Sequence, residues 1–242
     1  MGPAGRPLRI MAEYLEPLNR FDRLGVRKAV IFFGSARLCP GGADTPAQPD
    51  YCARARELAA RVARWTTETH PEGERYFICT GGGPGIMEAA NRGASEQNPK
   101  LSMGLNISIP FEQKSNSYIN PELDLEFHYF FMRKFWFLNL AEGLVIFPGG
   151  FGTLDELFEV LTLIQTGKKK RIPVLLFGQK FWQGLVRFPM FLEQGLISEG
   201  DLELFHLSDT VDDAFEYLKK GLEPTRSGAA ELPVKPSEKS SA

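Results

Sequence analysis

Pro148-Gly149-Gly150-Phe151-Gly152-Thr153-Leu154-Asp155-Glu156 follows directly on an apolar run from Gly143 to Phe147. An apolar run that breaks into glycines and then into an amphipathic helix builds an anion cradle in α/β proteins. Backbone N–H groups at the helix start face the anion, the helix dipole favours negative charge, and glycine allows close approach. Here two carboxylates, Asp155 and Glu156, come immediately afterwards. A site that only held phosphate would gain nothing from them, so the combination points to chemistry on the sugar next to that phosphate. The same residues admit a structural reading. Thr153 and Glu156 have the spacing of a capping box, in which the glutamate returns to the cap's own N–H. Acidic residues also favour a helix start through the dipole. On this segment alone both readings stand.

Arg133 adds a second constraint. The segment from Phe127 to Leu138 is apolar nearly all round, which predicts a buried helix. A guanidinium buried there needs an anion, either a side-chain carboxylate or a ligand phosphate, and its planar fork suits both. Its neighbour Lys134 can extend toward solvent along its own stem. A second glycine run, Gly81-Gly82-Gly83-Pro84-Gly85, is another close-approach loop. It lacks the dinucleotide spacing, and no Lys-Ser/Thr pair follows it as in a P-loop. Ser35, in Gly34-Ser35-Ala36-Arg37, can cap the next segment or touch a phosphate. His70, His128 and His206 are dispersed, forming neither a triad nor a metal site, and Lys168 to Arg171 reads as a solvated loop.

Apolar runs at 28–33, 76–80, 103–109, 143–147 and 173–177, with a weaker one at 202–207, predict strands. Helical patterns fall at 9–24 (interrupted at Pro17), 50–69, 86–91, 128–141, 151–166, 180–194 and 210–220, and 111–126 reads as irregular. The alternation predicts an α/β protein with a Rossmann-like parallel sheet covered by helices on both faces. Ligands in such sheets bind at the carboxyl ends of the strands. The loops after Phe33, Thr80 and Phe147 all have that position. In the helix after Phe147, Leu154, Leu157, Phe158, Leu161 and Ile164 form the apolar stripe, and Asp155, Glu156, Glu159, Thr162 and Thr166 the opposite face.

A chain of 242 residues fits one domain, expected over 9–221 with tails at 1–8 and 222–242. Lys plus Arg number 28 against 30 Asp plus Glu, so the net charge of −2 carries no nucleic-acid footprint. No run of about 18 apolar residues exists to cross a bilayer. The Pro/Gly-rich N-terminus lacks a signal-peptide core. Cys39, Cys52 and Cys79 are too few and scattered for a disulfide framework and match no zinc spacing, so a reducing cytoplasm is expected.

The segments 81–87, Met132-Arg133-Lys134 and, above all, 148–156 resemble the LOG ("Lonely guy") family of cytokinin riboside 5′-monophosphate phosphoribohydrolases, often mislabelled lysine decarboxylases. The resemblance covers roughly residues 28–220. It implies hydrolysis of the N-glycosidic bond of AMP, or of N6-substituted AMP, to free base and ribose 5-phosphate. It also implies a homodimer or higher assembly and neither metal nor organic cofactor. Carried onto this chain, the catalytic pair falls on Arg133 and Glu156. The implied substrate contacts are Ser35, Gly82, Gly83, Lys134, Gly149, Gly150, Phe151, Gly152, Thr153, Leu154, Asp155 and Thr162. Phe131 stands where shorter members have histidine, and Asp155 replaces a common glutamate.

A non-catalytic nucleotide or cofactor carrier on the same fold is the alternative, with molybdenum-cofactor carriers as the more distant resemblance. A pyridoxal-dependent decarboxylase is disfavoured, because nothing marks a Schiff-base lysine with an acidic partner for the ring nitrogen.

Overall fold

The computed structural model describes residues 5–39, 50–109 and 114–223. Within these residues, seven strands form one parallel sheet: β1 (Ala29–Phe33), β2 (Phe77–Thr80), β3 (Ser102–Ile107), β4 (Asp124–Phe127), β5 (Ala141–Ile146), β6 (Val174–Phe177) and β7 (His206–Ser208). Their spatial order is β4-β3-β2-β1-β5-β6-β7. The inner strands β1, β2 and β6 are buried at every residue, which is why they read as unbroken apolar runs. Among the described residues, eight α-helices connect and cover them: α1 (Arg6–Leu24), α2 (Tyr51–Thr69), α3 (Ile86–Gln97), α4 (Phe130–Leu140), α5 (Phe151–Gln165), α6 (Gln179–Leu185), α7 (Phe188–Glu193) and α8 (Val211–Leu222). The Rossmann-like α/β architecture is therefore the one expected. From β1 the chain winds outward through β2 to β4, then returns to β5 on the other side of β1. The winding reverses between β1 and β5, and that crevice is where such sheets bind ligands.

Four local expectations need correction. Pro17 does not interrupt α1, which runs unbroken from Arg6, so residues 6–8 are helical rather than tail. A helix-interior proline leaves the carbonyl four residues back without its donor. Here that carbonyl, Glu13 O, accepts from Trp136 Nε1 of α4 at 3.1 Å. Residues 124–127, expected to be irregular, form the edge strand β4, where Leu125 and Phe127 face inward and Glu126 is exposed. The expected strand at 202–207 is largely a 3-10 turn, Glu199–Leu204, and only His206–Ser208 pairs with β6. The expected helix at 180–194 divides at Val186 and Arg187, with Pro189 opening its second half.

Cys39 and Cys52 are joined as a disulfide with a Cα–Cα distance of 6.2 Å, a pairing that the spacing argument did not anticipate. The Pro/Gly-rich residues 40–49 between them lie outside the described residues, as do 1–4 and 224–242 of the expected tails. Leu222, assigned to the C-terminal tail, is the last residue of α8.

Helices α2 and α3 pack on one another so closely that a Cβ on Gly93 would come within 2.0 Å of Arg56 O. Because the obstacle is backbone, Gly93→Ala should destabilise the fold by about 1–3 kcal/mol, measured by denaturant unfolding.

Candidate active site

A cleft of about 730 Å³ opens at the carboxyl ends of the strands around the β1/β5 crevice. The loops after β1, β2 and β5 all reach it, as expected. Ser35 N–H donates to Pro148 O at 3.0 Å, and Ile86 N–H donates to Ser35 O at 3.2 Å. Ser35 thus ties the three loops together, and its Oγ accepts from Arg37 N–H at 3.0 Å.

The expected anion cradle falls at the start of α5. Its N-cap is Gly150, which has no side chain to occupy the free N–H groups. A Cβ at Gly150 or Gly152 would meet nothing within 4 Å, and Phe151 is 93% exposed, so the first turn faces open space. Thr153 lies inside the helix, buried, and packs on Gly149: a Cβ there would stand 2.0 Å from Thr153 Oγ1. The capping box is therefore not formed, because Thr153 is not the cap and Glu156 does not fold back onto it.

Glu156 is instead buried, 4% exposed, on the inner side of α5 with Thr153, Leu157, Val160 and Ile164. The expected faces are thus partly exchanged: Leu154 and Leu161 are half-buried, and Phe158 is exposed. Arg133, on α4, brings Nη2 to 3.8 Å from Glu156 Oε1. Its guanidinium packs on the rings of Phe130 and Phe137, with centroids at 5.1 and 5.6 Å. Among the described residues, its buried Nε has no hydrogen-bond partner. Burial pushes the Glu156 carboxyl up to about 7, against the opposing pull of Lys134 and Arg133. Burial also lowers the affinity of Arg133 for its proton, with Glu156 working the other way. Two desolvated, opposite charges facing one another without a hydrogen bond are costly in a purely structural role.

Gly149, Gly150, Phe151, Gly152, Thr153, Leu154 and Ser35 line the cleft together with Arg133 and Glu156. Lys134, Asp155 and Thr162 do not. Lys134 Nζ pairs with Asp155 at 2.7 Å and Glu159 at 2.9 Å, and with Thr162 they flank a shallow surface beside Phe151 and Phe158. The reason is helical phase: at 3.6 residues per turn, positions 155 and 162 both point roughly 100–120° away from 156. Gly82 and Gly83 are buried below the cleft, their carbonyls accepting from Asn116 Nδ2 at 3.1 and 3.2 Å. Phe131 lies on the exposed outer side of α4, 54% exposed, and does not line the cleft.

Sequence reasoning missed the polar layer that holds the Gly81–Gly83 loop. Gly82 N–H donates to Thr80 Oγ1 at 2.9 Å, and Thr80 Oγ1 donates to Asn91 Oδ1 at 2.6 Å. Asn91 Nδ2 donates to Ser102 Oγ and Met103 O. Asn116 Nδ2 also reaches Asn91 Oδ1 at 3.0 Å. Asn106, buried in β3 and paired with Asp124, was missed as well, although a buried amide implies partners.

A family model described as "Possible lysine decarboxylase" matches residues 87–218, more than half of the chain. The chain belongs to this LOG-type family. A pyrimidine/purine nucleotide 5′-monophosphate nucleosidase of Escherichia coli (strain K12) is 30% identical over 155 residues, which are 59% of this chain and 33% of that protein. The chain thus spans about a third of the length of that curated relative. The cytokinin riboside 5′-monophosphate phosphoribohydrolase LOG of Oryza sativa subsp. japonica is 37% identical over 68 residues, 28% of each chain. The rice protein named probable phosphoribohydrolase LOG4 is 24% identical over 82% of this chain and 79% of its own. Among solved structures, the X-ray structure of the structural-genomics target TM1055 superposes with a TM-score of 0.50 at 20% identity. It covers 80% of this chain and 99% of its own, and the likeness is one of fold.

For this LOG-family chain, the raised Glu156 carboxyl has a stability consequence. The folded state holds that proton more tightly than the unfolded chain does. The stabilisation is therefore complete below the ordinary value of 4.5 and is lost as pH rises through about 7. Glu156→Gln should match the parent near pH ~4 and exceed its stability by up to about 3 kcal/mol at pH ~8, in denaturant titrations.

Proposed function

We propose that this protein hydrolyses the N-glycosidic bond of nucleoside 5′-monophosphates, AMP or N6-substituted AMP, to free base and ribose 5-phosphate. One observation carries the reading: the desolvated Glu156–Arg133 pair sits one helical turn beyond an uncapped helix start in the same cleft. From residue 152 to 156 the helix rises about 6 Å, of the order of the separation between a 5′-phosphate and its furanose ring. The phosphate binds the free N–H groups of α5, which places the sugar against Glu156. As the C1′–N bond breaks, its electron pair leaves with the base, which takes up a proton from solvent, and positive charge grows on the ring. The carboxylate stabilises that charge and takes a proton from the water that adds to C1′. Arg133 holds the anionic groups in place. A carboxyl near 7 suits this work, since base catalysis is most effective when the group titrates near the working pH. The names of the E. coli and rice relatives support the same bond and substrate class.

The family's descriptive name favours a pyridoxal enzyme, and the cleft does not fit one. Among the described residues no lysine lines it, and Lys134 is held on the adjoining surface by Asp155 and Glu159.

We further propose a homodimer or higher assembly. Phe130, Phe131, Phe135, Phe151 and Phe158 crowd the outer sides of α4 and α5 and are exposed in the single chain. Aromatic residues concentrated in this way are a feature of protein interfaces. Such an assembly would cleave its nucleotides in salvage or in the release of cytokinin bases.

Glu156→Gln and Arg133→Ala should each lower kcat for AMP by about 10²–10⁴-fold, followed as ribose 5-phosphate release. Parent-like rates in either variant would overturn the assignment. If the parent protein binds AMP and releases no adenine, it is a carrier rather than a hydrolase. In the active protein, kcat/KM should fall below pH ~7, where Glu156 takes up its proton.

A further inference from the structure

Asn106, in β3, is 7% exposed and lines the cleft beside Gly81, Met87 and Ile107. Its Nδ2 donates to Asp124 Oδ1 at 2.6 Å, and Ser115 Oγ donates to the same oxygen at 3.0 Å. An ionised carboxylate only accepts, so the NH₂ end of the amide must face Asp124 and the carbonyl end must face away. That carbonyl oxygen lies against Gly82, where a Cβ would come within 1.9 Å of it, and Gly82 also has φ +76°. Among the described residues no hydrogen bond donates to Asn106 Oδ1. Asn106 lines the cleft, and an acceptor there without a protein donor is an unfilled half of a recognition contact.

Its place relative to the catalytic pair follows from the sheet. The α5 cradle lies at the end of β5; β1, β2 and β3 follow in order on one side. Arg133 Nη1 is 3.8 Å from where a Cβ of Gly81 would be, and Asn106 packs on Gly82. Neighbouring Cα atoms are about 3.8 Å apart, so the guanidinium and the open carbonyl flank successive residues of one loop. A nucleotide with its phosphate on α5 and its sugar against Glu156 directs its base along that loop, toward Asn106.

We propose that Asn106 Oδ1 accepts a hydrogen bond from the exocyclic amino group of the base. The preferred substrates are then 6-aminopurine nucleotides that keep at least one N6 hydrogen, and Asp124 is the positioning residue that sets the amide's direction. This rests on the hydrolase reading for the location of the sugar. A 6-oxo base would set two acceptors face to face and leave both unpaired, which rejects it more strongly than a misfitting apolar group would. One N6 substituent leaves a donor, and two remove it.

The test compares kcat/KM for AMP, N6-isopentenyl-AMP, N6,N6-dimethyl-AMP and IMP, with calorimetric binding of AMP and IMP alongside. The parent should favour AMP and the bulky N6-isopentenyl-AMP over N6,N6-dimethyl-AMP and IMP by at least about tenfold. Asn106→Leu, of similar size, should reduce that preference to about twofold or less, mainly by weakening AMP. Asp124→Asn lets the amide turn over and should shift the preference toward IMP. Equal use of AMP and IMP by the parent, or full discrimination retained by Asn106→Leu, would overturn the proposal. If no nucleotide is cleaved, the hydrolase reading falls, and the binding data alone decide: tighter AMP binding lost in Asn106→Leu supports the base contact, and equal AMP and IMP binding refutes it.

Discussion

The unbonded, desolvated contact between Arg133 and Glu156 is the constraint around which this protein is arranged. Each charge alone would be strongly disfavoured where it lies, and at 3.8 Å they compensate one another only in part. The fold tolerates this because both are carried on helices anchored elsewhere. Helix α4 holds Arg133 between two phenylalanine rings and is itself fastened to α1 by Trp136 and Glu13. Helix α5 holds Glu156 on a side otherwise filled by Leu157, Val160 and Ile164. The two helices leave the pair in contact without a hydrogen bond between them.

The glycines serve the same arrangement in two distinct ways. Gly150 and Gly152 keep the start of α5 open, so its N–H groups have no competing side-chain acceptor. Gly82 admits the Asn106 amide against the backbone, and Gly149 admits Thr153. The second pair settles shape, and the first settles availability. Beneath them the buried Thr80, Asn91 and Ser102 and the half-buried Asn116 form a hydrogen-bonded chain. A satisfied polar layer of this kind selects one loop conformation, which an apolar layer of the same volume would leave less defined.

Much of the candidate site was legible from local chemistry. A glycine-rich turn after a buried strand is recognisable because strand, turn and helix start are contiguous, and Arg133 stood out because a charge in an all-round apolar helix demands a partner. Contiguity also marks the limit. Asp155 and Thr162 look like companions of Glu156 in the sequence, yet helical phase turns them to another surface, where Lys134 holds Asp155. Asn106, Asn91 and Asn116 were not singled out because their partners lie on other elements. β4 was missed for a related reason: as a short edge strand it has only two inward residues, and Pro17 misled because its freed carbonyl is satisfied by a tryptophan more than a hundred residues away.

By itself, then, the order of residues determined the alternation of strands and helices, hence a parallel sheet with its ligand loops at one end, since hydrophobic period and glycine placement are local properties. It also narrowed the chemistry to a phosphate cradle followed by a carboxylate. Whether that carboxylate capped its own helix or faced the cleft was beyond it, because both outcomes satisfy the same four-residue spacing. The tertiary structure decided this by making Gly150 the cap and burying Glu156 opposite Arg133. Desolvation and the approach of side chains from separate elements exist only once the sheet has assembled, and burial there raises the Glu156 carboxyl.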